Sequence, residues 1–154
     1  MRVMLDTNIL VSAFVFRSRK IYAIIDYIVS HHELIISSYV VDELKDVVNR
    51  KFPNMAGALD EFLMTLSFTL AFSPKLIPAG LFEIRDISDA PILYTAIIEG
   101  IDMLITGDKD FDEVEIEKPD IMTIADFEKN IWWTDRYKEH HIYVQTTLGY
   151  SVQK

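Results

Sequence analysis

The chain has 154 residues, 50% hydrophobic and 25% charged, which fits one globular domain with a full core. It contains no cysteine, so disulfides and thiolate metal sites are excluded, and no apolar stretch reaches the roughly 18 residues a membrane span needs. The 24 acidic and 15 basic residues leave a formal net charge of −9, which argues against a broad electrostatic footprint for nucleic acid but not against a local basic patch. Asp6 interrupts the first apolar run and no signal-peptide pattern is present, so a cytoplasmic protein is the default expectation.

The first predicted element is a strand. Val3 to Leu5 is a continuous apolar run of the kind buried on both faces of a sheet. Asp6-Thr-Asn8 follows abruptly, and Ile9, Leu10 and Phe14 then recur as in a helix that Thr7 or Asn8 can cap. Asp6 falls at the carboxyl end of that strand, where open α/β sheets keep their ligand crevices, although helix capping alone would also explain it. Arg17-Ser-Arg-Lys20 is the densest positive cluster, read either as a solvated turn or as a phosphate-contacting loop. Ile21, Ile24, Ile25, Ile28 and Val29 predict an amphipathic helix ending near His31-His32, a surface pair rather than metal ligands.

Leu34-Ile-Ile36 reads as a second buried strand, with Ser37 or Ser38 capping the next helix. Val40, Val41, Leu44, Val47 and Val48 mark that helix's buried face, and Glu43 projects from its border. A carboxylate there is either a surface residue or part of a site. Pro53 ends the element. Leu59, Phe62, Leu63, Leu66 and Leu70 predict a further helix, followed by a loop or short irregular strand over Ser73 to Phe82.

From Arg85 to Asp110 the opening arrangement returns. Asp89 can cap a helix that accepts Pro91 in its first turn, with Ile92, Leu93, Ala96 and Ile97 buried and Gly100 closing it. Met103 to Ile105 is another buried strand, ending in Thr106-Gly-Asp108. Asp86 and Asp89 stand together at the helix entrance; each of these aspartates also has an ordinary capping or turn role open to it.

Taken together the acids suggest chemistry. In a right-handed βαβ layout, the ends of parallel strands and the starts of the helices that follow share one edge, so Asp6, Glu43, Asp89 and Asp108 converge. Two unit charges about 4 Å apart repel by roughly 4 kcal/mol at an effective dielectric near 20. Such a cluster needs cations, and oxygen ligands without Cys or a suitable His suit Mg²⁺ or Mn²⁺. Metal-dependent phosphodiester hydrolysis is the implied chemistry.

The ordered motifs Met-Leu-Asp6-Thr-Asn, Val-Asp-Glu43-Leu, Arg-Asp86-Ile-Ser-Asp89 and Leu-Ile-Thr-Gly-Asp108-Lys-Asp resemble the PIN domain, in particular its VapC-type toxin branch. The resemblance implies a three-layer α/β/α fold around a parallel sheet of four or five strands. It also implies a Mg²⁺- or Mn²⁺-dependent endoribonuclease using Asp6, Glu43, Asp89 and Asp108. Asp86 and Asp110 would help, and Thr7, Asn8 and Thr106 would orient the carboxylates or a water. Arg17, Arg19, Lys20, Arg85 and Lys109 are candidates for ringing the crevice as RNA phosphate contacts. A small antitoxin partner and a homodimer are implied by the same resemblance.

Two features depart from the family's pattern. Ser88, Ala90 and Pro91 interrupt the acid run usual before this helix, so that Asp86 and Asp89 compete for the metal-facing place, with Asp89 favoured. Beyond a nuclease-like domain over residues 1–131 lies an extension, 132–154, in which Ile142, Val144, Thr146 and Leu148 alternate with Tyr143, Gln145 and Thr147. That extension reads either as an edge strand or as a dimer or antitoxin contact. Rival functions are a non-cleaving RNA-binding or scaffold module and a Mg²⁺-dependent phosphotransferase. Phosphotransferases of the haloacid dehalogenase type expect a second Asp where this chain has Asn8.

Overall fold

A computed structural model describes residues 1–134 of the chain. Five parallel strands form the central layer: β1 (Arg2–Leu5), β2 (Glu33–Ser37), β3 (Thr69–Ala71), β4 (Met103–Ile105) and β5 (Asp120–Met122). Helices α1 (Thr7–Phe14), α2 (Arg19–His31), α3 (Ser38–Lys51), α4 (Ala56–Thr65), α5 (Ala90–Ile98) and α6 (Ile124–Phe127) complete a three-layer α/β/α domain. No helix among the described residues is long and apolar enough to cross a membrane.

Strand order is β3-β2-β1-β4-β5. From β1 the chain winds one way to β2 and β3, then returns across β1 to place β4 on its other side. The order reverses between β1 and β4, and an open α/β sheet opens its ligand crevice there, beyond the carboxyl ends of the strands. Val3↔Met103 and Leu5↔Ile105 set the register, which brings Asp6 and Thr106 out of the sheet side by side. The Asp6 amide donates to Ile105 O at 3.0 Å and the Thr106 amide to Met122 O at 3.1 Å, so the ladder holds both backbones to the sheet's last rung.

The central strands are apolar because helices cover both sides. Val3, Met4, Leu5, Leu34, Ile35, Ile36, Met103, Leu104 and Ile105 are all buried. A residue of this kind contributes about 1.5–3 kcal/mol when fully buried, so β1 and β4 are rigid supports for the aspartates beyond their carboxyl ends.

Several local expectations are corrected. Of the caps the sequence allows for α1, Asp6 is the one used, in place of Thr7 or Asn8; the extended backbone at Asp6 makes Thr7 the first helical residue. The basic stretch 17–20 is only half a loop, because Ser18 Oγ accepts from the Ile21 amide and starts α2 at Arg19. Ser37 caps α3 through the Val40 amide, at 3.1 Å. The helix expected to run to Leu70 stops at Thr65: Leu66 turns extended, and Leu70 joins β3, where pairing to Ile36 replaces helical bonds. Strand β5 and helix α6, of 3 and 4 residues, are too short to show a period in the sequence. A π-helical segment continues α6 from Glu128 to Trp132. The alternating segment from Ile142 to Leu148 lies outside the described residues.

Candidate active site

Four elements bring the acids to the crevice between β1 and β4. Asp6 follows β1, Asp108 follows β4, Glu43 stands on the second turn of α3, and Asp89 ends a 3-10 turn (Ile87–Asp89) leading into α5. Asp6, Glu43, Asp89 and Asp108 line one open cleft of about 340 Å³ together with Thr7, Asn8, Ser12, Phe16 and Lys51. A neighbouring hollow of about 360 Å³ shares Asp108 with it, is lined also by Thr106, and extends past β5 to Asp126.

Asp6 is the most constrained of the four, with 9% of its surface exposed. Its Oδ1 accepts from the Thr7 amide at 2.6 Å and its Oδ2 from Thr106 Oγ1 at 2.7 Å. Thr106 Oγ1 in turn accepts from the Asp108 amide at 3.0 Å, and Asp108 Oδ1 from the Asp110 amide at 2.9 Å. The hydroxyl of Thr106 thus ties the two strand-end aspartates to each other. Thr7 Oγ1 donates to Glu43, linking α1 to α3 across the cleft. Asn8 Oδ1 accepts from the Gly107 amide at 3.4 Å, a long bond to the β4 side of the crevice.

Asp89 occupies the N-cap position of α5, yet its side chain makes no capping hydrogen bond. The capping alternative read from the sequence is therefore not used, and the carboxylate points elsewhere. Asp86 takes a turn role instead, accepting from the Ser88 amide at 2.9 Å, and that bond holds its carboxyl below the usual range. Carboxylate oxygens of Asp86, Asp89 and Asp110 come within 4.8 Å of one another. Asp89 belongs to this trio and also to the cleft quartet, so the two acidic groups overlap on it. Arg85 Nε lies 3.2 Å from Asp110 and offsets part of the trio's charge.

The electrostatics arise from burial and crowding. Burial pushes the Asp6 carboxyl up from 3.8 to about 6, with Glu43 and Asp108 adding repulsion against the lowering bonds from Thr106 and Thr7. Asp89 rises to about 7, first by burial and then by the charges of Asp108, Asp6, Asp86 and Asp110. The Tyr39 phenol, near the start of α3, is pushed up to about 12 by burial and by Glu43, Asp89, Asp6 and Asp86. It donates to Ser88 O at 2.7 Å and so braces the turn that presents Asp89.

The predicted basic ring fares differently. None of Arg17, Arg19, Lys20, Arg85 and Lys109 lines the cleft of the four carboxylates. Lys20 is paired with Glu128, and Arg85 with Asp110. The basic side chain that does line it is Lys51, which sequence reasoning missed. The signal was present, because Glu43, Val47 and Lys51 follow one another at helical i, i+4, i+8 spacing and share a face. Tyr39 and Phe16 were missed as well, since neither carries a motif.

The donor set fits a hard divalent cation. It is oxygen-only, two of its carboxylates are pushed toward neutrality, and among the described residues none of the four is ion-paired with an Arg or Lys. Asp6, Asp89 and Asp108 with Glu43 are the residues that would hold it.

Comparison with known proteins gives the class. Residues 2–110 match the PIN domain model, so the chain belongs to the PIN domain family. PIN domains are nucleases that use divalent metals, and the acidic cluster is of the corresponding kind. Among solved structures the chain is similar to VapBC2 from Rickettsia felis bound to a DNA fragment from its promoter. That match has 20% identity and a TM-score of 0.61, and covers 80% of this chain and 98% of the other. It is also similar to DNA-bound VapBC from Salmonella typhimurium, at 18% identity and a TM-score of 0.59, with 80% and 98% coverage. At these identities the likeness establishes the fold alone. No curated protein sequence matches the chain.

Proposed function

We propose that the protein is a Mg²⁺- or Mn²⁺-dependent endoribonuclease and the toxin of a toxin–antitoxin pair. The observation that carries the reading is the meeting of Asp6, Glu43, Asp89 and Asp108 in one cleft at the reversal point of a PIN-family sheet. Asp6, Asp89, Asp108 and Glu43 hold the cation. Thr106 orients Asp6, Thr7 orients Glu43, and Asn8 steadies the Gly107 turn. Asp86 and Asp110 stand behind Asp89 and bias its charge. When bound, the cation supplies an acidified water and stabilises the charge that develops on the phosphodiester.

RNA as the substrate is taken from the toxin resemblance. A small antitoxin protein is proposed as partner, supported by the likeness of this fold to two VapBC assemblies. Residues 132–154 are proposed as a contact for that partner or for a second copy in a homodimer. A cytoplasmic location is consistent with this role.

The test is cleavage of a mixed RNA pool in Mn²⁺, in Mg²⁺ and in EDTA, with Asp6→Asn alongside the wild type. Cleavage that needs metal and is lost in the variant supports the reading. RNA bound but left intact by the wild type would favour a non-cleaving RNA-binding module. Normal cleavage by Asp6→Asn would overturn the site.

A further inference from the structure

The cleft of the four carboxylates carries an unexplained aromatic. Phe16 lines the cleft with the four carboxylates, yet it is 68% exposed. It lies just past the end of α1, and the next residue, Arg17, has φ 49, the one non-glycine residue in the left-handed region among those described. The chain therefore turns sharply after Phe16, which stays outside the core that swallows Phe14. Phe52 meets Phe16 edge-on, with ring centroids 6.0 Å apart and planes at 85°. An edge-on partner supports a ring while leaving a face open.

Phe52 directly follows Lys51, the last residue of α3. Lys51 is exposed, makes no ion pair among the described residues, and lines the same cleft. The cleft thus offers an exposed aromatic ring and a cation, joined through Phe52, together with the carboxylates. An unpaired nucleotide uses both, its base on the ring and its phosphate on the ammonium. A duplex keeps its bases stacked inside and cannot reach the ring.

We propose that Phe16 and Lys51 form a nucleotide-binding subsite, in which an unpaired base adjoining the scissile phosphate stacks on Phe16 while its own phosphate faces Lys51. The proposal rests on the nuclease reading and narrows it to single-stranded RNA.

The test uses the full chain in Mg²⁺ with a labelled single-stranded RNA and the same strand annealed to its complement. Binding is followed by anisotropy and cleavage by gel. Phe16→Ala should weaken single-strand binding, and raise KM, by about 5- to 150-fold, with Phe16→Trp restoring both. Lys51→Ala should flatten the salt dependence of binding by about 0.7 in log–log slope. Neither variant should move the thermal shift produced by Mg²⁺, which a merely structural loss would. Wild-type cleavage with unchanged binding and KM in Phe16→Ala would overturn the subsite and leave the nuclease standing. Binding without cleavage, weakened in Phe16→Ala, would overturn the nuclease and leave the subsite. Equal use of duplex and single strand would overturn the narrowing to unpaired RNA.

Discussion

Replacing Asp6 by Asn should make the metal-free protein more stable at alkaline pH, although it removes a residue central to the site. The Asp6 carboxyl is raised from 3.8 to about 6, with burial as the leading cause. A raised carboxyl is held protonated by the fold, so the folded state binds more protons than the unfolded one between those values and loses stability as pH rises through them. At about 1.36 kcal/mol per unit, the two-unit rise corresponds to about 3 kcal/mol lost once pH exceeds the folded value. Asn keeps the shape and carries no charge. Its oxygen can still accept from the Thr7 amide, and its NH₂ can donate to Thr106 Oγ1 if that hydroxyl turns. Weakening those two charge-assisted bonds returns about 1 kcal/mol. The net gain at pH 8 is then about 2 kcal/mol, or about 4–8 °C in Tm for a domain of this size. Urea unfolding in EDTA measures it. Near pH 4, where Asp6 is protonated in the folded wild type, the gain should vanish. An Asp6→Asn protein less stable than wild type at pH 8, or stabilised equally at both pH values, would refute the reasoning.

The same geometry sets other expectations. Mg²⁺ or Mn²⁺ should raise Tm more at pH 8 than at pH 5, because protons compete at Asp6 below about 6 and at Asp89 below about 7; scanning fluorimetry at the two pH values decides it, and equal shifts would contradict it. Thr106→Val removes the donor to Asp6 and the acceptor for the Asp108 amide. It should cost about 1–3 kcal/mol in urea unfolding and push the Asp6 carboxyl higher still. Tyr39→Phe loses the bond to Ser88 O. The turn carrying Asp89 should loosen, read as faster amide hydrogen exchange at Asp89, with a stability change of only about 1 kcal/mol.

What could be read from the chain itself depended on whether a residue's role was local. Asp6 and Asp108 were legible because each comes after a short, wholly apolar run, and such a run in an α/β chain delivers its next polar residue to the carboxyl edge of the sheet. Glu43 was legible as a position on the border of the α3 stripe, but its bond from Thr7 joins residues far apart in sequence and carries no local mark. Asp89 was ambiguous because an acid before Ala-Pro looks like a cap; only the three-dimensional turn, held by Asp86 and Tyr39, leaves its side chain uncapped. Leu70 extended the period of α4 by accident, since a leucine in a short edge strand and a leucine one turn further along a helix look alike. Asp120-Ile-Met122 is too short and too polar at its start to read as a strand, and it becomes one only because β4 offers an open edge. The basic cluster at 17–20 drew attention by density, whereas Lys51 reaches the cleft by helical phase from Glu43, two turns earlier on α3.

The most direct measurement is Mn²⁺ binding at pH 8 by electron paramagnetic resonance, comparing wild type with Asp6→Asn and Asp89→Asn. Saturable binding by the wild type, lost or strongly weakened in both variants while each remains folded, is the expected result. Binding that survives unchanged in both would remove the cation from this cleft, and with it the proposed route to RNA cleavage.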